Sequence, residues 1–204
     1  YTYWLYDYAG VNPQNGNALW RNEEGLLTEN YGEARRINAG SPEPLWTGGF
    51  NTELSWKGIS LGIQLEARYG NKVLNQDRSL FEADGSYGDS NIWKGALNYW
   101  KKPGDTNVLP KPIYNNSSNS SKISTRYLED GSYLRIKDIT LAYNLPSKWT
   151  KKALMSGVRI YASALNLYTF HNMNYWDPEH GTTGATIISY PMTRSMIVGV
   201  DITF

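Results

Sequence analysis

The sequence predicts an all-β fold in which long antiparallel strands form part of a transmembrane β-barrel. Two neighbouring segments of about eleven residues alternate apolar and polar side chains, which is typical of strands that face two different environments. Short connections between the predicted strands alternate with long ones. The chain also has 16 Tyr and 8 Trp but only 4 Phe, and such amphipathic rings favour interfaces over a dry core.

The clearest alternation lies in the segments WTGGFNTELSW, residues 46–56, and ISLGIQLEARY, residues 59–69. In the second segment the residues of one face are apolar and those of the other are polar: Ile59, Leu61, Ile63, Leu65 and Tyr69 against Ser60, Gln64, Glu66 and Arg68. The two residues between the segments, Lys57 and Gly58, are a tight-turn signal and predict a hairpin. At ~3.3 Å per residue and ~40° tilt each arm spans roughly 25 to 28 Å, the height of a membrane barrel, whereas soluble strands are shorter.

A second strand pair is predicted in SYLRIKDITLAYNLP and VRIYASALNLYTF, with Pro146 ending the first strand and Gly157 opening the second. The alternation of the first strand shifts around Lys137 and Asp138. A β-bulge explains this shift, and so does a strand that rises above the membrane before entering it. The last predicted strand is TRSMIVGVDITF, residues 193–204.

Connection lengths predict the orientation of the strands. The connections at 57–58 and 146–157 are short, whereas those at about 71–131 and 171–192 are long and rich in Gly, Asn and Ser. Membrane barrels have short periplasmic turns and long extracellular loops. We therefore expect both long connections, and residues 1–45 before the first strand, to be extracellular.

Composition removes several classes of function. Lys and Arg total 20 against 19 Asp and Glu, and no basic run occurs, so nucleic-acid binding through a charged stripe has no support. Cysteine is absent, which removes disulfides and thiolate chemistry. The chain opens on Tyr1 inside an aromatic stretch, which we interpret as a mature or internal fragment.

No catalytic or metal site is predicted. His171 and His180 lie near Asp177 and Glu179, but a loop with scattered histidines and acids is more often solvated than a converging ligand set. No G-x-S-x-G nucleophile motif is present. The sequence thus predicts neither an enzyme nor a cofactor.

The aromatic side chains of the long connections are the candidate contacts for a ligand or a partner protein. They are Trp93, Tyr99, Trp100, Tyr175 and Trp176. Such rings suit stacking on a sugar or clamping a partner, and packing against neighbouring loops is the alternative account. The spacing in IWKGALNYW permits a short amphipathic helix.

Several stretches, in this order along the chain, resemble the SusC/RagA-type TonB-dependent outer-membrane transporters. They are YDYAGVNPQNGNALW, PLWTGGFNTELSWKGISL with RYGNKV, DGSYLRIKDITLAYNLP, VRIYASALNLYTF, YWDPE and YPMTRSMIVGVDITF. Only residues from about 74 to 122 lack a match. The resemblance implies the last five strands or so of a 22-stranded barrel, residues 46–204, following an extracellular segment at 1–45.

The resemblance also implies a function and partners. A transporter of this kind imports glycan or peptide fragments together with a SusD-like surface lipoprotein lid, and contacts TonB through an N-terminal part absent from this sequence. Outer-membrane lipid surrounds the barrel. Val200, Ile202 and Phe204 resemble the signal that barrel-assembly machinery reads on a last strand. A secreted β-sandwich that binds carbohydrate, and a structural barrel without transport, are the competing interpretations.

Overall fold

The computed structural model describes residues 1–179, 185–186, 190 and 192–204. The chain forms two compact units. The mixed unit consists of Tyr1–Glu43, Asn71–Asp130 and Glu179–Ser189, and the sheet unit of Pro44–Gly70, Gly131–Pro178 and Tyr190–Phe204.

Strands dominate the described residues. In chain order they are β1 (Trp4–Tyr6), β2 (Tyr8–Val11), β3 (Ala18–Arg21), β4 (Leu27–Thr28), β5 (Arg36–Asn38), β6 (Trp46–Trp56), β7 (Ile59–Tyr69), β8 (Lys72–Asn75), β9 (Leu128–Asp130), β10 (Tyr133–Asn144), β11 (Gly157–His171), β12 (Ala185–Thr186) and β13 (Ser195–Thr203). The helices are α1 (Gln76–Phe81) and α2 (Ser147–Thr150), with 3-10 turns at Tyr31–Glu33, Lys94–Leu97, Thr125–Tyr127 and Lys151–Ala153. No helix in the described part of the chain is long and apolar enough to span a membrane.

The sheet unit is one antiparallel sheet of five strands in the order β13-β11-β10-β7-β6. The predicted hairpin is confirmed, because Trp56 pairs with Ile59 across the Lys57-Gly58 turn. Both turn residues have positive φ, 48° and 88°, as a tight turn of type I′ requires. Glycine suits the second position because it has no Cβ to clash there.

Pairing preserves the predicted alternation across the sheet. Leu61 lies opposite Leu54 on β6 and Leu141 on β10, so apolar side chains align on one face. This apolar face is exposed at, among others, Phe50, Leu54, Leu141, Val198 and Val200. The opposite, polar face holds the intervening residues of each strand, such as Glu53 and Gln64.

A β-bulge accounts for the shift of alternation in β10. The register jumps between Ile136 and Asp138 in the pairings with both β7 and β11. Lys137 is the extra residue opposite β7, and its Nζ lies 3.1 Å from Glu66 Oε2 on the polar face. On β11 the same level contains Asn166, whose φ is 51°. The irregularity therefore spans neighbouring strands and increases local twist.

The connection between β10 and β11 is more regular than the sequence indicated. Pro146 and Gly157 bound it as expected, but it folds into α2 followed by a 3-10 turn. Trp149 N donates to Pro146 O at 2.9 Å, and Met155 N to Thr150 O at 3.1 Å. Thr150 is buried at the centre of this connection, so its neighbours point outward.

The mixed unit is built from the segments predicted as loops. Three small sheets, β1-β5, β2-β3-β4 and β12-β8-β9, surround a core of Leu5, Leu74 and Tyr127. Trp20 is also fully buried. These strands have only two to four residues, which is too short for a readable alternation. Residues 1–45 and 71–131 therefore contain regular structure where the sequence predicted loop.

Buried ion pairs tie the segments of the mixed unit together. Arg126 forms two hydrogen bonds with the Asp84 carboxylate, that between Nη2 and Oδ1 measuring 2.8 Å. Arg78 lies 2.7 Å from both Glu82 and Glu129. Burial is the largest single influence on Arg126 and lowers its pKa, but the hydrogen bond to Asp84 and the charge interactions with Asp84, Tyr127 and Tyr8 together raise that pKa. Burial also raises the pKa of Tyr8 to about 12. The guanidinium thus remains charged and paired.

Acid is expected to loosen the loop around Glu29. Asn12, Asn15 and Asn17 donate to its carboxylate at 2.6, 2.8 and 2.7 Å. The hydrogen bond from Asn17 is the largest of the effects that lower the pKa of Glu29. Because the pKa of Glu29 is lower in the folded state, its ionised carboxylate stabilises the loop at pH values above the ordinary glutamate pKa. This stabilisation is lost as the pH falls through the lowered pKa of the folded state.

Hydrogen exchange at the amides of residues 12–29 tests this expectation. Protection in the wild type should fall from pH 6 to pH 3, after correction for the intrinsic exchange rate. In Glu29→Gln it should be low at both values. Equal protection at both values in the wild type would contradict it.

Candidate functional site

The candidate site is a cavity on the polar face of the sheet unit, at the end remote from the Lys57-Gly58 turn. Its volume is about 310 Å³. The lining residues come from β10, β11, the segment after β11 and the segment before β13: Arg135, Asn166, Thr169, His171, Tyr175, Trp176, Asp177, Met192 and Arg194. Strand pairing places Arg135 opposite Thr169 on one side and Glu66 on the other.

Arg135 anchors the segment after β11 to the sheet. Its side chain is fully buried and forms an ion pair with the carboxylate of Asp177. The guanidinium also lies 5.6 Å from the ring centroid of Tyr133, in cation-π geometry. A buried charge is tolerated when it is paired, so this contact fixes where residues 172–178 return to the sheet.

Tyr175 has a strained backbone within this segment. Its φ is 68°, and Trp176 N donates to Asn174 O at 2.8 Å. A positive φ with an i to i+2 hydrogen bond is a γ-turn of the rare, strained kind. Such strain persists where surrounding contacts over-determine it, and it is common at ligand sites. The turn directs Tyr175 outward, where it is half exposed.

A charged network continues from the cavity along the polar face. Glu66 accepts a hydrogen bond from Tyr133 OH at 2.8 Å and lies 3.1 Å from Lys137 Nζ. Arg68 Nε is 3.7 Å from the same carboxylate. On the side of the bulge nearer the Lys57-Gly58 turn, the Asp138 carboxylate accepts hydrogen bonds from the hydroxyls of Thr140 and Ser163 at 2.8 and 2.9 Å. The face therefore offers fixed donors and acceptors together with aromatic rings, which suits a hydrated polar ligand.

The structure separates the predicted contact residues into two groups. Tyr175 and Trp176 both line the cavity. Trp93, Tyr99 and Trp100 belong to the mixed unit. The short helix permitted by their spacing is a 3-10 turn at Lys94–Leu97.

Each of the three predicted contact residues in the mixed unit has its own packing partner. Trp93 stacks on Phe81 with ring centroids 4.6 Å apart, and Lys101 lies over Tyr99. Trp100 is only 9% exposed, and its Nε1 donates to Pro13 O at 3.1 Å. A ring this buried has little surface to offer a ligand, so packing is the better account of Trp100.

Val200, Ile202 and Phe204 lie on the apolar face at and beyond the end of β13, and all three are exposed. β13 pairs with β11 on one side and is an edge of the five-stranded sheet. Their role as an assembly signal stays a prediction.

The described residues contain no group of three or more His, Asp or Glu side chains placed to hold a metal ion. His180 lies outside the described residues. Asp177, noted in the sequence for its nearness to the histidines, is the partner of Arg135. Neither member of this pair could be recognised from the sequence, because an arginine on the polar face of an alternating strand is an ordinary residue there.

Replacing Asp177 by asparagine is expected to release the segment that holds Tyr175 and Trp176. The buried Arg135 then loses its carboxylate, and removing one member of a buried pair is costly. Protection of the amides of residues 172–178 from hydrogen exchange in the full-length protein should fall severalfold, while that of β7 stays unchanged. Glu179→Gln, two residues away, is the matched control. Unchanged protection in Asp177→Asn would contradict the anchoring role.

Comparison with known proteins places these features in context. No family model matches the chain. The chain is 31% identical over 182 residues to TonB-dependent receptor P3 of Formosa agariphila, covering 84% of this chain and 17% of that protein. TonB-dependent receptor P26 of the same organism is 28% identical over 203 residues, covering 93% of this chain and 20% of that protein.

Solved structures give the same result. A structure of the RagAB peptide transporter matches all of this chain and 23% of its own, with a TM-score of 0.83 and 29% identity. The RagAB peptide importer in a closed-closed state matches with a TM-score of 0.82 and 30% identity, again over 100% of this chain and 23% of its own. The chain thus spans about a fifth of the length of the proteins that it matches.

Proposed function

Since this chain belongs to the SusC/RagA-type TonB-dependent receptors, we propose that it supplies the last five strands or so of an outer-membrane barrel that imports peptide or glycan fragments. The observation that carries the proposal is the five-stranded meander itself. Its strands are 9 to 15 residues long, and one face is apolar yet exposed.

Lipid is the natural environment of the apolar face. A soluble sandwich would cover such a face with a second sheet about 10 Å away, whereas Phe50, Leu54 and Val198 are largely exposed here. Trp46 and Tyr69 pair at one end of the hairpin, and Trp56 lies at the other. Rings at both ends of an apolar band are typical of the two interfaces of a membrane barrel. These features favour the barrel over a secreted carbohydrate-binding sandwich.

The topology follows from connection length. The Lys57-Gly58 turn and the α2 connection lie at the periplasmic end of the sheet, and residues 1–45, about 71–131 and 171–192 belong to the extracellular side. The folded mixed unit offers a surface for a SusD-like lipoprotein lid, in line with the two-component RagAB assemblies that this chain resembles. Contact with TonB falls to a part of the protein outside this chain.

The polar face and its cavity line the import pathway in this proposal. Tyr175 and Trp176 supply aromatic rings to the cavity, and Arg135 and Arg194 supply hydrogen-bond donors. Glu66, with Tyr133 bound to it, adds polar groups along the same face. Such groups suit a peptide or an oligosaccharide that is too large for a general porin. Relatives that are receptors and transporters support a non-enzymatic role.

Uptake by the full-length protein tests the proposal. The receptor and its lipoprotein partner are expressed together, and labelled peptides and oligosaccharides are offered to cells with and without functional TonB. We expect the receptor in the outer membrane and TonB-dependent uptake of one of the two classes. A protein that is soluble without detergent and binds sugar would favour the sandwich instead.

Phe204→Ala is expected to reduce assembly rather than transport. If Phe204 belongs to the assembly signal, the amount of receptor in the outer membrane should fall severalfold, while uptake per assembled molecule stays at the wild-type level. Phe204→Tyr, which keeps the ring, is the matched control. Normal assembly of Phe204→Ala with lost uptake would contradict this role.

A further inference from the structure

The periplasmic end of the sheet has a basic and aromatic surface that its role in import does not use. We call it the basic rim, and it consists of Trp56, Lys57, Lys148, Trp149, Lys151 and Lys152. Strand pairing places its two parts at the same end, because Asn144 N donates to Gly58 O at 2.8 Å. Tyr143, next to Asn144, lies opposite Ile59. The rim therefore joins the turn of the β6-β7 hairpin to the α2 connection.

Charge in the basic rim has a single sign. Residues 54–60 and 143–158 contain four lysines and no aspartate or glutamate. All four lysines are exposed, and none has an ion-pair partner among the described residues. Arg159 at the start of β11 is instead paired with Asp201, at 3.4 Å. The rim thus presents uncompensated positive charge.

The fold of the α2 connection directs these side chains away from the protein. Thr150 is buried and its carbonyl accepts from Met155 N, so the turn closes on itself. Trp149 is 58% exposed and Leu154 is 89% exposed. Leu154 has a φ of 59°, which ends the helical turn and leaves its side chain on the surface. Large apolar side chains beside lysines are the composition of a segment that lies at a membrane interface.

The apolar face of the sheet runs directly into the basic rim. Tyr143 precedes the α2 connection by a few residues, and Trp56 ends β6 with Lys57 Nζ 4.6 Å above its ring. A lysine that extends past an interfacial ring places its ammonium group at the level of the lipid headgroups. The level at which the apolar face ends is therefore the level at which the four lysines begin.

We infer that the basic rim binds the phosphate groups of anionic glycerophospholipids in the periplasmic leaflet, with Trp149 and Leu154 inserted beside the headgroups. Phospholipid is favoured as the occupant because the apolar face is continuous with the rim and the charge is complementary. Each lysine near an anionic surface strengthens association about fivefold. The inference rests on the proposed membrane barrel.

The test uses the full-length receptor with its lipoprotein partner, reconstituted into nanodiscs of phosphatidylcholine and phosphatidylglycerol. Native mass spectrometry counts the lipids that remain bound. The variant is Lys148→Gln/Lys151→Gln/Lys152→Gln, and the matched control is Lys94→Gln/Lys102→Gln/Lys122→Gln, which removes the same charge from exposed positions of the mixed unit.

The wild type and the control should retain phosphatidylglycerol in preference to phosphatidylcholine, and the rim variant should lose that preference by at least tenfold. Raising the salt concentration should weaken the preference because it screens exposed charges. Equal loss in the control and the rim variant, or no preference in the wild type, would overturn the inference. Capture of a soluble periplasmic protein by the rim without lipid preference would also overturn it.

Failure of the proposed function gives a different result. In that case the wild type does not enter the outer membrane or the nanodisc at all. A wild type that inserts and imports its substrate, but shows no lipid preference, overturns the basic rim alone.

Discussion

Replacing Asp84 by alanine is expected to destabilise the mixed unit by about 3 to 5 kcal/mol. The substitution leaves the guanidinium of Arg126 buried without the carboxylate that forms two hydrogen bonds with it. Ser120 Oγ also loses the acceptor to which it donates at 2.8 Å. The remaining hydrogen-bond partners of Arg126, the carbonyls of Glu82 and Ser120 at 3.1 and 3.0 Å, do not neutralise its charge. An unpaired buried charge is among the costliest defects that one substitution can create.

Hydrogen exchange resolved by segment measures this loss of stability in the mixed unit without unfolding the sheet unit. Protection of the amides around Leu74 and Tyr127, two residues in the core of the mixed unit, should fall in Asp84→Ala. Asp89→Ala, at an exposed position nearby, is the control and should change protection little. The double variant Asp84→Leu/Arg126→Met should be less damaged than Asp84→Ala, because it removes both charges together. A double variant as unstable as the single one would contradict the account.

Replacing Ile63 by arginine is expected to destabilise the proposed barrel by about 2 to 4 kcal/mol. Ile63 lies near the middle of β7, on the apolar face, opposite Ile139 on β10 and Thr52 on β6. In the proposed barrel, a guanidinium at that depth contacts lipid hydrocarbon unless the side chain can reach the interface. The full-length receptor, refolded in vesicles and titrated with denaturant, gives the free energy of unfolding.

Gln64→Arg is the matched control for this prediction. Gln64 is the next residue of the same strand and lies on the polar face opposite Asn51 and Asp138. Its replacement by arginine should change stability little, because the polar face of the proposed barrel is hydrated and an acidic side chain lies opposite. A larger loss in Gln64→Arg than in Ile63→Arg would show that the two faces have been assigned the wrong way round.

The long strands could be predicted from sequence because their signal is local. Eleven residues of alternation on each side of Lys57-Gly58 specify a hairpin, its turn and its two faces. The resemblance to a known family then predicted that these strands belong to a barrel. Even the bulge at Lys137 left a visible break in the alternation.

The mixed unit and the anchor of the candidate site could not be predicted in this way. Asp84 and Arg126 are 42 residues apart, as are Arg135 and Asp177. No local pattern connects such residues, because each pair forms only after distant segments meet. The strained turn at Tyr175 could not be predicted either, because no sequence pattern indicates a positive φ at a tyrosine.

The bulge in β10 changes which residues of the strand, even-numbered or odd-numbered, lie on the apolar face. Before it the apolar face takes even-numbered positions, Leu134 and Ile136, and after it the odd-numbered Ile139 and Leu141. Deletion of Lys137 would make the pairing of β10 with β7 continuous, because Ile136 and Asp138 already pair with the neighbouring residues Leu65 and Gln64. Loss of a residue in the regular part of the strand would instead turn one half of β10 inside out. A one-residue deletion within the paired part of β10 therefore keeps both faces opposite β7 only if it removes the bulge residue.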